Sequence, residues 1–399
     1  MKSHLILIVG GIGLFLLGIF FIVSMPVGAI VVEDVVEDLG ECLHENQAEL
    51  ESFPCVREKI QSLLLELPAH EIMRAVEASF PYQCHAVGHI LGQETYKMLG
   101  SVESAFGACS PASCVHACTH GVVGEVFLST PGIGGLPEEW RHPNIDLIRS
   151  EGSLLCRDRT TCHAVGHVLF LLFFEDLSGA LSMCDEIAGD EAFTCHSGIF
   201  MENGGGTFAR TIPGLDVERE EYRDPTDLLS PCNTVADRYK KACFRFLYIN
   251  QYDYFKDHGI TDPHTIFNTQ TDACGIVTDR LQRRACFRSV GWSLQGMRRP
   301  LLSAHVLCNS LTVIEDRSAC LFGVSDSFTD QGMSISETGG ACRAVNNEQG
   351  KRACYGGIFM ALSDREPGLL PSVCDGASDS ACQMSLQEFL ANPDSRDSI

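Results

Sequence analysis

Positive charge is scarce in this sequence. Lys and Arg total 29 against 52 Asp and Glu among 399 residues, a formal charge of −23. A nucleic-acid site needs a Lys/Arg footprint to neutralise phosphates, so that partner class is excluded. Several chemical signatures are missing as well. There is no HExxH, which removes the zincin arrangement, and neither a GxSxG elbow nor a P-loop. There is no CxxCH, so covalent c-type haem is excluded while non-covalent bis-histidine haem stays open. The first cysteine is Cys42, and the sequence holds 20 from there on. With 45% apolar residues and no low-complexity tract, the chain is long enough to bury a large core.

The one long apolar run is residues 5–25 (LILIVGGIGLFLLGIFFIVSM), without a charge. A helix crosses a bilayer in about 20 residues. Lys2 precedes the run, and Glu33, Asp34, Glu37 and Asp38 follow it. The positive-inside bias therefore predicts a cytoplasmic N-terminus and an extracytoplasmic bulk, single-pass in the cell membrane. The run exceeds the roughly 7–15 residues of a signal-peptide core, so residues 1–32 are expected to be a retained signal-anchor. Cleavage near Val27-Gly28-Ala29 is the alternative. Twenty thiols in an oxidising compartment pair as ten disulfides with none left over.

Those cysteines mark a repeat. Aligning one of each unit gives Cys84-HAVGHILG, Cys118-THGVVGEV, Cys162-HAVGHVLF, Cys195-HSGIFMEN, Cys243-FRFLYINQ, Cys286-FRSVGWSL, Cys320-LFGVSDSF and Cys354-YGGIFMAL. A second cysteine lies 11 or 12 residues upstream of most: Cys184, Cys232, Cys274, Cys308 and Cys342. Apolar residues in segments such as 285–295 and 352–362 recur at helical spacing, and turn residues follow. This predicts helix–turn–helix units, with the first cysteine in the last turn of one helix and the second opening the next. The expected staples are 184–195, 232–243, 274–286, 308–320 and 342–354, with 42–55 and 156–162 further candidates. Cys84, Cys109, Cys114 and Cys118 leave three pairings open, and Cys374 with Cys382 closes a shortened last unit. A 34-residue minimal spacing fits two helices and two turns, the size of an α/α solenoid repeat. In architecture alone the stapled pairs resemble cysteine-rich relatives of the tetratricopeptide repeat. The residue signatures of that repeat are missing, so the likeness implies no function.

Histidines crowd the first four units. His85 and His89 lie four apart, His163 and His167 repeat the same CHAVGH, and His116 and His120 flank Cys118. Residues i and i+4 share a helix face, so each pair can present two imidazoles to one ion. The position after the repeat cysteine is Phe244, Phe287, Leu321 and Tyr355 in the last four units, a core position. His85, His163 and His196 take it in the first four, with His120 beside Thr119 in the remaining one. Imidazole in a core position loses packing and needs a polar partner. Stacked units set equivalent helices side by side, so the histidines are expected to converge. Glu125 and Glu202 stand seven residues after their cysteines, as supporting acids or a general base beside a metal-bound water.

The reading is an all-α chain: a disulfide-stapled, solenoid-like α/α helical-repeat ectodomain behind a single N-terminal transmembrane helix. A juxtamembrane helical segment (33–78) leads to His/Cys-rich repeats (79–203) that hold a transition metal, Zn, Cu or Fe. An acidic Gly/Pro linker or insertion (204–228) precedes Cys-paired repeats (229–385) that are structural or bind a protein partner, and a polar tail (386–399) ends the chain. The candidate ligands are His85, His89, His120, His163, His167 and His196, with Glu125 and Glu202 in support. A scaffold with structural histidines and a metal-dependent enzyme are the alternatives.

Overall fold

A computed structural model describes residues 35–43, 49–81, 83–109, 114–133, 144–173, 176–212, 224, 226–375 and 379–391. Their regular structure is helical, with no strand among them. The apolar run at 5–25 and the tail from 392 lie outside the described residues, and no described helix is long and apolar enough to cross a membrane.

All 20 cysteines are paired. The five expected junction staples form, as do Cys42–Cys55 and Cys156–Cys162. The open quartet resolves as Cys84–Cys114 and Cys109–Cys118, and Cys374 pairs with Cys382. Two helices lead in, α1 (Glu49–Leu63) and α2 (Ala69–Ser79). Then come α3 (Cys84–Leu99), α4 (Val102–Ala108), α5 (Ala117–Ser129), α6 (Ile145–Leu155), α7 (Arg159–Leu172), α8 (Leu177–Ile187), α9 (Ala192–Gly205) and the short α10 (Thr207–Arg210). The second half holds α11 (Asp237–Arg245), α12 (Leu247–Asp257), α13 (Pro263–Gly275), α14 (Arg280–Gly296), α15 (Leu301–Asn309), α16 (Ile314–Asp330), α17 (Ile335–Arg343), α18 (Glu348–Arg365) and α19 (Ser380–Ala391). Helix therefore runs six residues past the 385 boundary drawn from sequence, and Phe389 is buried there.

Each junction follows from its residues. Cys184, Cys274, Cys308 and Cys342 lie in the last turns of α8, α13, α15 and α17. A polar side chain then caps many of the next helices. Asp158, Asp279 and Asn347 accept from the first backbone N–H groups of α7, α14 and α18. Such a cap contributes about 1 kcal/mol.

The helices carrying the repeat cysteines pack in sequence order, α3 on α5, then α7, α9, α11, α14, α16 and α18. Neighbours run parallel: Arg283 pairs with Asp316 near the starts of α14 and α16, while Arg288 and Trp292 reach Asp326 further along both. Glycine permits the closest approaches. A Cβ on Gly166 would sit 2.1 Å from the Cys195 carbonyl oxygen, and one on Gly198 only 2.0 Å from that of His163. One apolar core runs from α5 through α19, and a smaller one joins α1, α2, α3 and the start of α5. The row also curls back, since Arg365 of α18 pairs with Glu77 of α2 at 2.9 Å.

Gly198→Ala drives a methyl group into a backbone carbonyl and is expected to destabilise by about 1–3 kcal/mol in urea denaturation. Gly107→Ala, with nothing within 4 Å of its new Cβ, should be neutral or stabilising. A second expectation concerns His305 on α15, which is 5% exposed and held by burial at a pKa of about 4. An unfolded imidazole titrates near about 6.5, so the unfolded chain binds the extra proton first as pH falls. His305 therefore contributes its full stability above about pH 6.5 and loses it on the way down to about pH 4. Between those limits the wild type should lose roughly 3 kcal/mol more than His305→Leu, read from urea midpoints at each pH.

Candidate metal centre

Five of the predicted histidines meet. His85 and His89 project from α3 with ring centroids 4.4 Å apart, and His120 of α5 lies 5.6 Å from each. His163 and His167 of α7 are 5.2 and 5.3 Å from His120 and 4.9 Å from one another. His85, His89 and His120 each offer a ligand atom within 4.8 Å of the others. That triad could hold a metal ion. Bonds of about 2.1 Å in tetrahedral geometry set nitrogens roughly 3.4 Å apart, so ligation would draw these three together by about an ångström.

The loop before α5 aims the triad. Cys114, Val115 and His116 all have left-handed φ, at 52°, 57° and 58°. For non-glycine residues this costs on the order of 1–2 kcal/mol each. Disulfides at Cys114 and Cys118 bracket the segment. The turn sets the Cys114 carbonyl 3.0 Å from His85 Nδ1, so that nitrogen donates and Nε2 carries the lone pair. His85 Nε2 is buried with no hydrogen-bond partner among the described residues.

A second support lies under α7. His167 Nδ1 is 2.9 Å from Glu202 Oε2, and Glu202 is fully buried. The Glu202 carboxylate also accepts from the backbone N–H groups of Phe208 and Ala209 at 3.2 and 2.9 Å. The Phe208 ring packs 5.5 Å from His89 and fills the space that Gly124 leaves open. Burial lowers the His85 pKa to about 4. It also takes His120 and His163 well below the usual imidazole range, with the neighbouring rings pushing the same way. Neutral imidazoles with oriented lone pairs are what a transition metal takes up.

A half-open cavity lies beside the rings. His116, His120 and His163 line one side, and Trp292, Asp326 and Met360 from α14, α16 and α18 line the other. Residues of the second half, which the sequence reading separated from the histidines, thus face them across one space.

Two predicted residues stand elsewhere. His196 Nε2 lies 3.0 Å from Asp185, and its ring packs edge-on to Tyr239. Glu125 reaches Lys97 at 3.5 Å, and burial raises its pKa. His196 holds the same place after its cysteine as His85 and His163, but on α9 that place faces Asp185 and Tyr239, and the next residue, Ser197, lines the cavity instead. The carbonyl of Cys114 escaped sequence reading because a backbone acceptor leaves no residue signature.

Glu202→Ala would leave His167 Nδ1 and two backbone N–H groups unpaired in the interior, and is expected to cost about 2–4 kcal/mol in urea denaturation. Glu125→Ala, whose carboxylate meets a half-exposed lysine, should cost under about 1 kcal/mol. No known protein family, curated protein or solved structure matches this chain.

Proposed function

We propose that this is a membrane-anchored, extracytoplasmic protein of solenoid-like α/α repeats that binds a transition metal ion, Zn, Cu or Fe, through its clustered histidines. The observation that carries the reading is the buried group of His85, His89 and His120, whose ligand atoms lie within 4.8 Å of one another. Three imidazoles suit those metals and leave a coordination position for water or substrate. The hydrogen bonds from His85 to Cys114 and from His167 to Glu202 support it, because ligating histidines commonly donate their second nitrogen to an oxygen. His163 and His167 stand beside the triad in support. Ten disulfides and no free cysteine favour an oxidising compartment. The charge asymmetry around residues 5–25 favours the anchor and its orientation.

A metal-dependent enzyme is the second reading, favoured by the cavity that reaches His120 and His163. A protein partner on the repeat face is compatible with either.

Elemental analysis of the oxidised, untagged protein tests the proposal. At least one equivalent of transition metal is expected, with one equivalent lost in the His85→Ala/His89→Ala double variant. Chelation should lower the Tm of the wild type, since a bound ion stabilises the folded state by mass action. A wild type that neither contains nor takes up Zn, Cu or Fe would leave a scaffold with structural histidines as the reading.

A further inference from the structure

The triad does not account for the tightest contact in the cluster. His163 Nε2 and His167 Nε2 lie 3.2 Å apart. His167 Nδ1 is held by the Glu202 carboxylate, which leaves its Nε2 lone pair facing His163 Nε2. In one tautomer of His163 the Nε2–H donates to that lone pair; in the other, both lone pairs face one space, as two ligands of one cation do. Metal–nitrogen bonds of about 2.0–2.1 Å at an angle of roughly 100–105° place two nitrogens about 3.2 Å apart. The pair therefore stands at chelating distance as built, whereas the triad must close.

We infer that His163 and His167 chelate a second transition metal ion, making the cluster a two-metal centre with His120 between the sites. This rests on the reading that the His85, His89 and His120 group binds the first ion. Two imidazoles leave further positions for water or a small ligand, and His163 lines the cavity through which these would arrive. Glu202, fully buried and bonded to His167 Nδ1, supplies a negative charge behind that ligand. The second pair is a repeat copy of the first: CHAVGH occurs after Cys84 and again after Cys162, on two helices that both pack against α5. Paired ions clamp a substrate oxygen from two sides, a geometry used in hydrolytic and redox chemistry alike.

The test is metal titration of the full-length, oxidised, metal-free protein with Co(II), following d–d absorption and measuring bound cobalt after desalting. Two equivalents per chain are expected, falling to one in His163→Ala/His167→Ala and to one in His85→Ala/His89→Ala. One equivalent that either double variant abolishes would mean a single shared site and overturn the inference while the metal-binding reading stands. One equivalent lost only in His85→Ala/His89→Ala would overturn it too. A wild type that binds no cobalt, zinc, copper or iron would overturn both. Should the His163→Ala/His167→Ala protein lose its helical circular dichroism, the wild-type stoichiometry decides alone, and one equivalent instead of two overturns the second site.

Discussion

The structure depends on a covalent bond at each helix junction. A disulfide between the end of one helix and the start of the next leaves the second helix little freedom to slide or rotate. Each such bond closes a short loop and contributes on the order of 2–4 kcal/mol when unstrained. Rotation matters most here, because one residue corresponds to about 100° on a helix. With the rotation fixed, neighbouring cysteine-bearing helices can meet through glycines at backbone distance. At Gly166 and Gly198 no methyl group would fit between α7 and α9. The histidine-bearing faces then follow from packing.

Burying imidazoles is costly, and the fold offsets this with oxygen acceptors. One is the Cys114 carbonyl and another is Glu202, whose charge is in turn met by the N–H groups of Phe208 and Ala209. The second half of the chain meets its own buried charge in another way. Arg288 pairs with Asp326 at 2.8 Å, and Trp292 donates to the same carboxylate. That network closes the far wall of the cavity without histidine, so the cavity is asymmetric in chemistry although the helices around it are related.

Much of this was legible in the cysteines. Seven disulfides follow from spacing, because a pair 6–13 residues apart has few competitors. The Cys84, Cys109, Cys114 and Cys118 group resisted, since four cysteines within a short span allow every pairing. Five histidines that meet follow from aligning the units, and His196 stands apart although it holds the register of His85 and His163, because Asp185 and Tyr239 from other helices meet its ring. Glu202 was legible as a supporting acid, and Glu125 was not distinguishable from it. What separates the two is Lys97, which lies on another helix and meets Glu125. The curl that brings Trp292 and Asp326 opposite the histidines depends on small rotations summed over many helix contacts. No local pattern encodes such a sum.

The left-handed turn at Cys114, Val115 and His116 ties the orientation of His85 to the oxidation state of the thiols. Its three residues would relax to ordinary backbone in a chain whose thiols were reduced, and the carbonyl that orients His85 would swing away. Oxidation of Cys84 with Cys114 therefore sets the direction of an imidazole lone pair, so a reductant acting at one disulfide would be read out at a histidine.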